Sequence, residues 1–166
     1  PGVSVVVCTH NGSRTIADCL EGLSLLNYPR YEVIVVDDGS TDATAEIAGG
    51  FEGIRLIRTE NRGLSSARNT GLRAARHEIV AYIDDDARPD PDWLSYVAET
   101  LARTDHVGVG GPNIPPPGCG PVADAVAMAP GGPVHVLLTD EVAEHIPGCN
   151  MAFRRERLLA IGGFDP

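Results

Sequence analysis

Apolar and polar positions alternate in a regular order along the first two thirds of the chain. Five short apolar runs are typical of strands covered on both faces; they occupy residues 3–8, 32–36, 54–58, 78–83 and 106–111. The segments between these runs carry apolar residues at helical spacing, at 13–26, 40–48, 63–76 and 91–103. This alternation predicts an α/β fold with a mostly parallel sheet, flanked by helices and joined by right-handed crossovers.

The pattern changes after residue 111. The segment "GPNIPPPGCGP" at 111–121 contains five prolines, so it is predicted to form neither a helix nor a central strand. Two further strands are predicted at 133–138 and 148–153, and a short helix at 154–161. No internal repeat or linker interrupts the sequence, and its 166 residues are enough for one domain with its own core.

Local signals predict where the first two helices begin and end. Ser13 is a suitable N-cap for the first helix. Pro29 prevents that helix from continuing, because proline has no N–H to donate. Gly49 and Gly50 are expected to end the second helix.

Composition and charge narrow the classes of function. The formal net charge is −10, whereas a nucleic-acid-binding protein needs a basic face, so nucleic acid is not an expected partner. No apolar run approaches the ~20 residues of a membrane-spanning helix. The four cysteines form no C-x-x-C pair, which argues against structural zinc. They are predicted to be small buried thiols in a reducing compartment. This predicts a cytoplasmic protein, with any contact to the inner face of a membrane made by segments outside this sequence.

Polar residues follow three of the predicted strands at the point where each strand ends. They are Thr9-His10-Asn11, Asp37-Asp38 and Asp84-Asp85-Asp86. Because ligands of open parallel sheets bind beyond the carboxyl ends of the strands, these endings are expected to form one acidic rim. Taken separately, "DDGSTD" is also compatible with a turn and a helix cap, and "DDDARPDP" with a solvated loop.

Three consecutive aspartates suggest a bound cation. Neighbouring carboxylates raise one another's pKa unless a positive charge compensates, and Mg²⁺ or Mn²⁺ is a natural partner for carboxylate oxygens. In an extended segment Asp84 and Asp86 face the same side, whereas a loop conformation would bring Asp85 in as well. The open positions of such a cation suit a diphosphate. The first strand–helix turn, "CTHNGSRT", lacks the G-x-G-x-x-G of dinucleotide-binding folds.

Five segments occur together in a characteristic order: "VSVVVCTHNGSRTIADCLEGL", "YEVIVVDDGSTDAT", "ENRGLSSARNTGL", "IVAYIDDDARPDPDWL" and "GCNMAFRRERLLAIGGFD". Together they resemble a family 2 glycosyltransferase of the GT-A fold, and the resemblance covers essentially the whole chain. It implies a hexosyltransferase that moves a sugar from a nucleotide-diphosphate sugar to an acceptor hydroxyl, with inversion and with a metal. UDP-sugars are the commonest donors in the family, and GDP- or dTDP-linked donors remain open. The resemblance leaves the acceptor open between a saccharide, a lipid and a protein.

The resemblance also implies a set of site residues. The positions expected to contact the nucleotide are Cys8 (through its backbone), Thr9, His10, Asn11, Asp38, Arg62, Asp84 and Asp85. Asp86 matches the metal ligand and would hold Mn²⁺ or Mg²⁺. The donor and acceptor pocket is expected to be lined by Gly148, Cys149 and Asn150. His10 would stack on the base, and Arg68 either flanks the nucleotide or anchors its own helix.

The resemblance divides the chain into two parts and leaves one role unfilled. Residues 1–111 match the nucleotide-binding half, and residues 112–166 match part of the acceptor-binding half. The general base of the family lies in an acidic motif after "GGFD", so it is expected beyond Pro166, and the sequence is expected to be a fragment. Two other functions remain open: a non-catalytic nucleotide-sugar-binding domain, and a sugar nucleotidyltransferase.

Overall fold

The computed structural model of the chain describes residues 1–115, 118, 120–127, 146 and 148–166. These residues form the strands β1 (Val3–Thr9), β2 (Tyr31–Asp38), β3 (Ile54–Thr59), β4 (Ile79–Asp84), β5 (Gly108–Gly110) and β6 (Asn150–Arg154). They also form the helices α1 (Ile16–Ser24), α2 (Thr44–Gly49), α3 (Leu64–Ala74), α4 (Trp93–Arg103), α5 (Pro121–Ala127) and α6 (Arg155–Ala160). The strand predicted at 133–138 lies outside the described residues.

The strands form one mixed sheet in the order β3-β2-β1-β4-β6-β5. β1 pairs in parallel with β2 and with β4, and β2 pairs in parallel with β3. β6 is antiparallel to both of its neighbours, β4 and β5, so β5 runs in the same direction as the first four strands. The prediction of an α/β fold with a mostly parallel sheet is confirmed, with one reversed strand inserted between β4 and β5.

Helices cover both faces of the sheet, as the continuous apolar runs predicted. Successive side chains of a strand point to opposite faces, so Val5 and Val7 pack with α1 and α4 whereas Val6 packs with α3 and α6. All three valines are fully buried, and burying such a side chain contributes roughly 1.5–3 kcal/mol. α3 approaches β1 closely at Gly71, where a Cβ would collide with Val6. This close packing positions α3 and the loop that leads into it.

The first helix begins later than predicted, and Ser13 does not cap it. α1 starts at Ile16, and no side chain of the described residues caps it. The Ser13 prediction is wrong because the chain first makes a turn, in which Gly12 O accepts from Thr15 N at 3.1 Å and from Ile16 N at 3.0 Å. The Ser13 N–H donates instead to Asp42 Oδ2 at 3.2 Å.

Two further helices differ from the sequence pattern. α2 begins at Thr44 rather than at residue 40, because Ser40 and Thr41 bond to the loop after β1. The pattern does not predict α5, which begins at Pro121, where the fixed φ of proline suits the first position of a helix. Residues 111–115 form neither helix nor strand, as predicted. Within the described ranges, none of the helices has both the length and the apolar character needed to cross a membrane.

Candidate functional site

The polar endings of β1, β2 and β4 lie side by side at the carboxyl edge of the sheet. β1 is the middle strand of the three, with Thr9 paired to Asp37 of β2 and Cys8 paired to Asp84 of β4. Because these strands are parallel and adjacent, the residues that follow them share one edge. The structure therefore brings together the three groups of polar residues that the sequence pattern singled out.

The loop after β1 is bonded to its neighbours on both sides. Thr9, which is 4% exposed, donates from Oγ1 to Asp85 Oδ2. On the other side, Asn11 N donates to Ser40 Oγ at 2.8 Å, and Asn11 Oδ1 accepts from Thr41 N at 2.9 Å. Among the described residues, Asn11 is the one non-glycine with a positive φ, 56°, a conformation that asparagine tolerates better than most residues. These bonds fix the loop between the endings of β2 and β4.

The tautomer of His10 follows from its neighbours. Because Asn11 Oδ1 accepts from Thr41 N, Asn11 Nδ2 is the atom 3.1 Å from His10 Nε2, and Nε2 must accept. Nδ1 then carries the proton and donates to the carbonyl of Asp38 at 2.9 Å. Asn61 Nδ2 lies 3.3 Å from Nδ1 and 3.2 Å from Nε2 of the same ring. His10 is exposed, and these hydrogen bonds hold its ring in one orientation. Its stacking on a base stays a prediction.

The two aspartates at the end of β2 point to opposite faces of the sheet, and Asp37 belongs to the interior of the fold. It is fully buried. Its carboxylate accepts from Ser40 N at 2.9 Å and from Arg58 Nε at 3.1 Å. These two donors compensate the buried charge, so Asp37 stabilises the turn after β2.

Asp38, which is 5% exposed, holds the loop that leads into α3. Its carboxylate accepts from Thr59 Oγ1 at 3.2 Å, from Arg62 N at 3.0 Å and from Gly63 N at 2.8 Å. Gly63 has a φ of 88°, a conformation that favours glycine. The Arg62 N–H also lies 3.2 Å from the second oxygen, so both oxygens of the Asp38 carboxylate are hydrogen-bonded and hold residues 59–63 in place.

The acidic triplet is bent rather than extended. Asp84 ends β4, and Ala87 N donates to Asp84 O at 3.2 Å, which closes a turn. The alternation that would place Asp84 and Asp86 on one side of an extended segment therefore does not apply. Asp85 lies against Gly12, where a Cβ would collide with its Oδ2. Asp86 is exposed, whereas Asp84 and Asp85 are half-buried.

Crowding these carboxylates has an electrostatic cost. Burial raises the pKa of Asp84, Asp86 and Asp85 raise it further, and Arg68 opposes the change. Burial also raises the pKa of Asp85, against the lowering effect of the hydrogen bond from Thr9. A divalent cation beside the triplet would offset this cost, because an opposite charge favours the ionised carboxylates.

The donor set fits a cation that is shared with a ligand. No group of three His, Cys, Asp or Glu side chains within the described residues is arranged to hold a metal ion by itself. Mg²⁺ bound to substrate phosphates is typically held by one or two protein carboxylates, and Mn²⁺ also prefers oxygen ligands. The exposed carboxylate of Asp86 supplies one hard oxygen ligand of this kind. The residues present therefore fit Mn²⁺ or Mg²⁺ with the rest of its coordination supplied by the ligand.

The segment predicted to line the donor and acceptor pocket lies beside the triplet. Asn150 begins β6 and pairs with the residue of β4 that precedes Asp84. Its Oδ1 accepts from Trp93 Nε1 at 2.9 Å, and the neighbouring Cys149 Sγ accepts from Asn113 Nδ2 at 2.7 Å. These bonds tie the pocket segment to the start of α4 and to the chain after β5.

The two arginines of "ENRGLSSARN" have different surroundings. The Arg62 side chain is 70% exposed, and its Nη2 lies 3.4 Å from Glu60 Oε2. A surface pair of this kind contributes little, so Arg62 can exchange Glu60 for a ligand. Arg68 is half-buried, and its Nη2 donates to Gly148 O at 3.1 Å. Arg68 is thus tied to the pocket segment rather than to its own helix alone.

The chain as a whole matches a known family. A family model described as Glycosyl transferase family 2 covers residues 4–161. The chain belongs to glycosyltransferase family 2. The resemblance drawn from its five sequence segments is therefore confirmed.

This family 2 chain is similar to larger glycosyltransferases, some of which have solved structures. The glucosyl-dolichyl phosphate glucuronosyltransferase of Haloferax volcanii is 31% identical across 98% of this chain and 56% of that protein. The mannosyltransferase PcManGT from Pyrobaculum calidifontis, solved in complex with GDP-Man and Mn²⁺, is 31% identical with a TM-score of 0.77, over 99% of this chain and 48% of that one. TarS of S. aureus is 22% identical with a TM-score of 0.80, over 100% of this chain and 50% of that one. At this identity the similarity supports only a shared GT-A fold. The chain thus spans about half the length of these proteins.

The cysteines of the family 2 chain are buried or half-buried thiols where the structure describes them. Cys8, Cys19 and Cys149 form no disulfide with one another. Burial raises the pKa of Cys8 and that of Cys19 from 9.0 to about 12. Burial also raises the pKa of Cys149. These thiols match the predicted small buried groups, and Cys119 lies outside the described residues.

We expect the unfolding free energy to fall as the pH rises from 9.0 towards 12. The thiols of Cys8 and Cys19 stay protonated in the folded state up to about 12 but ionise near 9.0 when unfolded. Below pH 9.0 the two thiols therefore contribute fully to the unfolding free energy. Between pH 9.0 and 12 this contribution falls by at most about 1.4 kcal/mol per pH unit for each thiol. Urea unfolding at a series of alkaline pH values measures the slope. Cys19→Ala should make the slope shallower, and an identical slope in that variant would contradict the assignment.

Several residues that support the family 2 site were not predicted from the sequence. Asn61 lies against His10, and its place in "ENRGLSSARNTGL" was a usable signal. Trp93 and Asn113 bond to the segment 148–150 over 57 and 36 positions of sequence. No local pattern indicates such pairs, so only the packed structure reveals them.

Proposed function

We propose that this chain is the donor-binding part of an inverting, metal-assisted glycosyltransferase. It takes a nucleotide-diphosphate sugar and transfers the sugar to an acceptor hydroxyl. The observation that carries the proposal is the edge on which Thr9–Asn11, Asp38 and Asp84–Asp86 meet in a family 2 chain. A solved neighbour with 31% identity was obtained with GDP-Man and Mn²⁺, which supports the same class of ligand here.

The nucleoside lies against the loop after β1 and the end of β2. Cys8 contributes its backbone, Thr9 and Asn11 line the loop, and the exposed ring of His10 stacks on the base. Asp38, whose carboxylate also accepts from Thr59, Arg62 and Gly63, accepts an N–H of the base. This assignment gives the base both a surface to stack on and a polar partner.

The diphosphate lies against the acidic triplet. Asp84 and Asp85 face the ribose and the diphosphate, and Asp86 holds Mn²⁺ or Mg²⁺. When bound, the cation neutralises the charge that develops on the departing diphosphate. Arg62 leaves Glu60, its partner in a highly exposed ion pair, and reaches the base or the diphosphate.

The reaction is a single in-line displacement at the anomeric carbon. The acceptor oxygen bonds to that carbon as the bond to the diphosphate oxygen breaks, and the hydroxyl proton passes to a general base. The sugar side of the pocket is lined by Gly148, Cys149 and Asn150. The chain divides into a nucleotide-binding half, residues 1–111, and part of an acceptor-binding half, residues 112–166. The family resemblance places the base after "GGFD", so it is assigned to no residue of this site.

Two finer expectations complete the proposal. The donor is a UDP-sugar, since UDP-sugars are the commonest donors of the family, and the GDP-Man of the solved neighbour makes a GDP-sugar the alternative. The location is cytoplasmic, because the thiols of Cys8, Cys19 and Cys149 are unpaired within the described chain.

A thermal-shift panel of nucleoside diphosphates, each with and without Mn²⁺, tests the proposal. UDP with Mn²⁺ at one hundred times its Kd is expected to raise Tm by about 5–10 °C, since the ligand adds about 2.7 kcal/mol. EDTA should remove most of this gain. A shift with GDP alone would change the donor to a GDP-sugar, and no shift with any nucleoside diphosphate would refute the proposal. Release of UDP rather than pyrophosphate from a UDP-sugar separates a transferase from a nucleotidyltransferase.

A further inference from the structure

Arg68 of α3 contacts two segments that are distant in the sequence. Its Nη2 donates to the carbonyl of Gly148 at 3.1 Å. Its guanidinium carbon lies 5.5 Å from the ring centroid of Phe164, within the range of a cation–π interaction. Arg68 therefore connects α3 both to the pocket segment 148–150 and to the turn that follows α6.

The glycine at position 148 is explained by this contact. A Cβ on Gly148 would lie 2.6 Å from Arg68 Nη2 and 3.3 Å from its Cζ. Gly148 does not have the positive φ that would by itself favour glycine. Glycine suits position 148 because it leaves space for the Arg68 guanidinium. A larger residue at this position would displace Arg68.

Asn69, the next residue of α3, holds the second segment in a similar way. Asn69 is 6% exposed; its Oδ1 accepts from Phe164 N at 2.8 Å and its Nδ2 donates to Phe164 O at 2.7 Å. The Phe164 ring packs edge-on against Tyr82 of β4, with the centroids 5.3 Å apart. Two neighbouring residues of α3 thus hold the chain segments on either side of β6 and α6.

The charge of Arg68 also acts on the acidic edge. Burial raises the pKa of Asp84, and Arg68 opposes that change. Burial raises the pKa of Cys8 as well, again with Arg68 opposing it. The geometry agrees with this effect, because Tyr82 Oη of β4 donates to Arg68 O at 3.3 Å.

We propose that Arg68 is a positioning residue that holds the segment 148–150 at a set distance from Asp84. This role rests on the proposed function: it keeps the sugar side of the pocket aligned with the diphosphate side during transfer. Misalignment lowers the rate of transfer more than it weakens nucleotide binding. Loss of the tether is therefore expected to lower kcat while the Kd for UDP changes little.

Trp93 reports the position of this segment without any need for activity. It is the single tryptophan of the sequence, and its Nε1 donates to Asn150 Oδ1 at 2.9 Å. The residue is 8% exposed, so a displacement of segment 148–150 breaks its hydrogen bond and admits water. Such a change moves the emission of Trp93 to longer wavelength.

The experiment compares Arg68→Ala, Arg68→Lys and Gly148→Ala in the full-length protein, and the emission of Trp93 is taken as the difference from the same protein carrying Trp93→Phe. Arg68→Ala and Gly148→Ala are both expected to shift the Trp93 emission and to lower kcat about 10- to 100-fold, with the Kd for UDP within about threefold of wild type. Arg68→Lys keeps a donor for Gly148 O and should recover part of both signals. The double variant Arg68→Ala/Gly148→Ala should have the same kcat and the same emission as Arg68→Ala alone. Both substitutions disturb the same contact, between Arg68 and Gly148, so their effects should not add.

Arg73→Ala is the matched control, since it removes the same charge from an exposed position on the same helix. It should leave the emission, kcat and Kd unchanged. If Arg68→Ala does not fold, the emission, kcat and Kd of Gly148→Ala and Arg68→Lys are compared with those of the wild type instead.

Two results would overturn the positioning role. A Kd for UDP that rises in step with the loss of kcat would make Arg68 a nucleotide ligand instead. Unchanged Trp93 emission in Gly148→Ala and in Arg68→Ala would show that no tether exists, whether or not the protein transfers sugar. If the wild type neither binds UDP nor transfers sugar while the emission shifts as described, the proposed function fails and the tether stands.

Discussion

Replacing Asp86 with alanine is expected to weaken UDP binding in the presence of Mn²⁺ on the order of 100- to 1000-fold. Asp86 is the exposed member of the acidic triplet and the proposed ligand of the cation. A loss of this size corresponds to about 2.8–4.2 kcal/mol; removing one partner of a fully buried charge pair costs about 3–5 kcal/mol, and Asp86 is exposed until the ligand covers it. Calorimetric titration with UDP, with and without Mn²⁺, measures the loss, and most of it should appear only when the metal is present.

The fold should tolerate the Asp86 substitution. Because Asp86 is exposed and next to two like charges, the Tm of the metal-free variant should stay within about 2 °C of wild type. Asp105→Ala is the matched control, since it removes an exposed carboxylate just before β5, at the opposite end of the sheet. If Asp86→Ala and this control bound UDP with equal affinity and equal dependence on Mn²⁺, Asp86 would not be the metal ligand.

Replacing Asp38 with alanine is expected to lower both the stability of the fold and the affinity for UDP. Thr59 Oγ1 and the N–H groups of Arg62 and Gly63 lose their acceptor, so the unfolding free energy should fall by about 2–4 kcal/mol. The proposed hydrogen bond to the base is lost as well, which should cost about 1.5–3 kcal/mol of binding even without metal. Urea unfolding measures the first effect, and metal-free calorimetry measures the second.

Asp38→Asn separates charge from shape at the same position. The amide keeps one acceptor oxygen but turns a donor towards the N–H groups of the loop, so its stability should lie between wild type and alanine. Wild-type stability in Asp38→Ala would show that residues 59–63 do not depend on this carboxylate. Wild-type affinity for UDP without metal would leave Asp38 with only its structural role.

The location of the candidate site could be predicted because it follows from strand direction. Continuous apolar runs separated by helices require a parallel sheet covered on both faces. In such a sheet the residues after each strand share one edge, which places Thr9, Asp38 and Asp84 together. The observed pairing of β1 with β2 and β4 gives the same arrangement.

Local hydrogen bonding was harder to predict than strand direction. Ser13 has the right chemistry for a helix cap, yet Gly12 closes the first turn and Ser13 bonds to Asp42. The triplet could be extended or turned, and the bond from Ala87 N to Asp84 O makes it a turn. In both places several polar groups compete for the same partners, and tertiary contacts decide between them.

The amino-acid order alone was enough to establish the succession of strands and helices, the family, and the edge where the acidic residues gather. These features follow from short-range periodicity and from compact motifs. Three-dimensional packing was needed to settle that β6 inserts between β4 and β5, and that Arg68 and Asn69 hold Gly148 and Phe164 over 80 and 95 positions of sequence. Periodicity carries no information about which distant residues meet, because that depends on how the whole sheet and its helices pack.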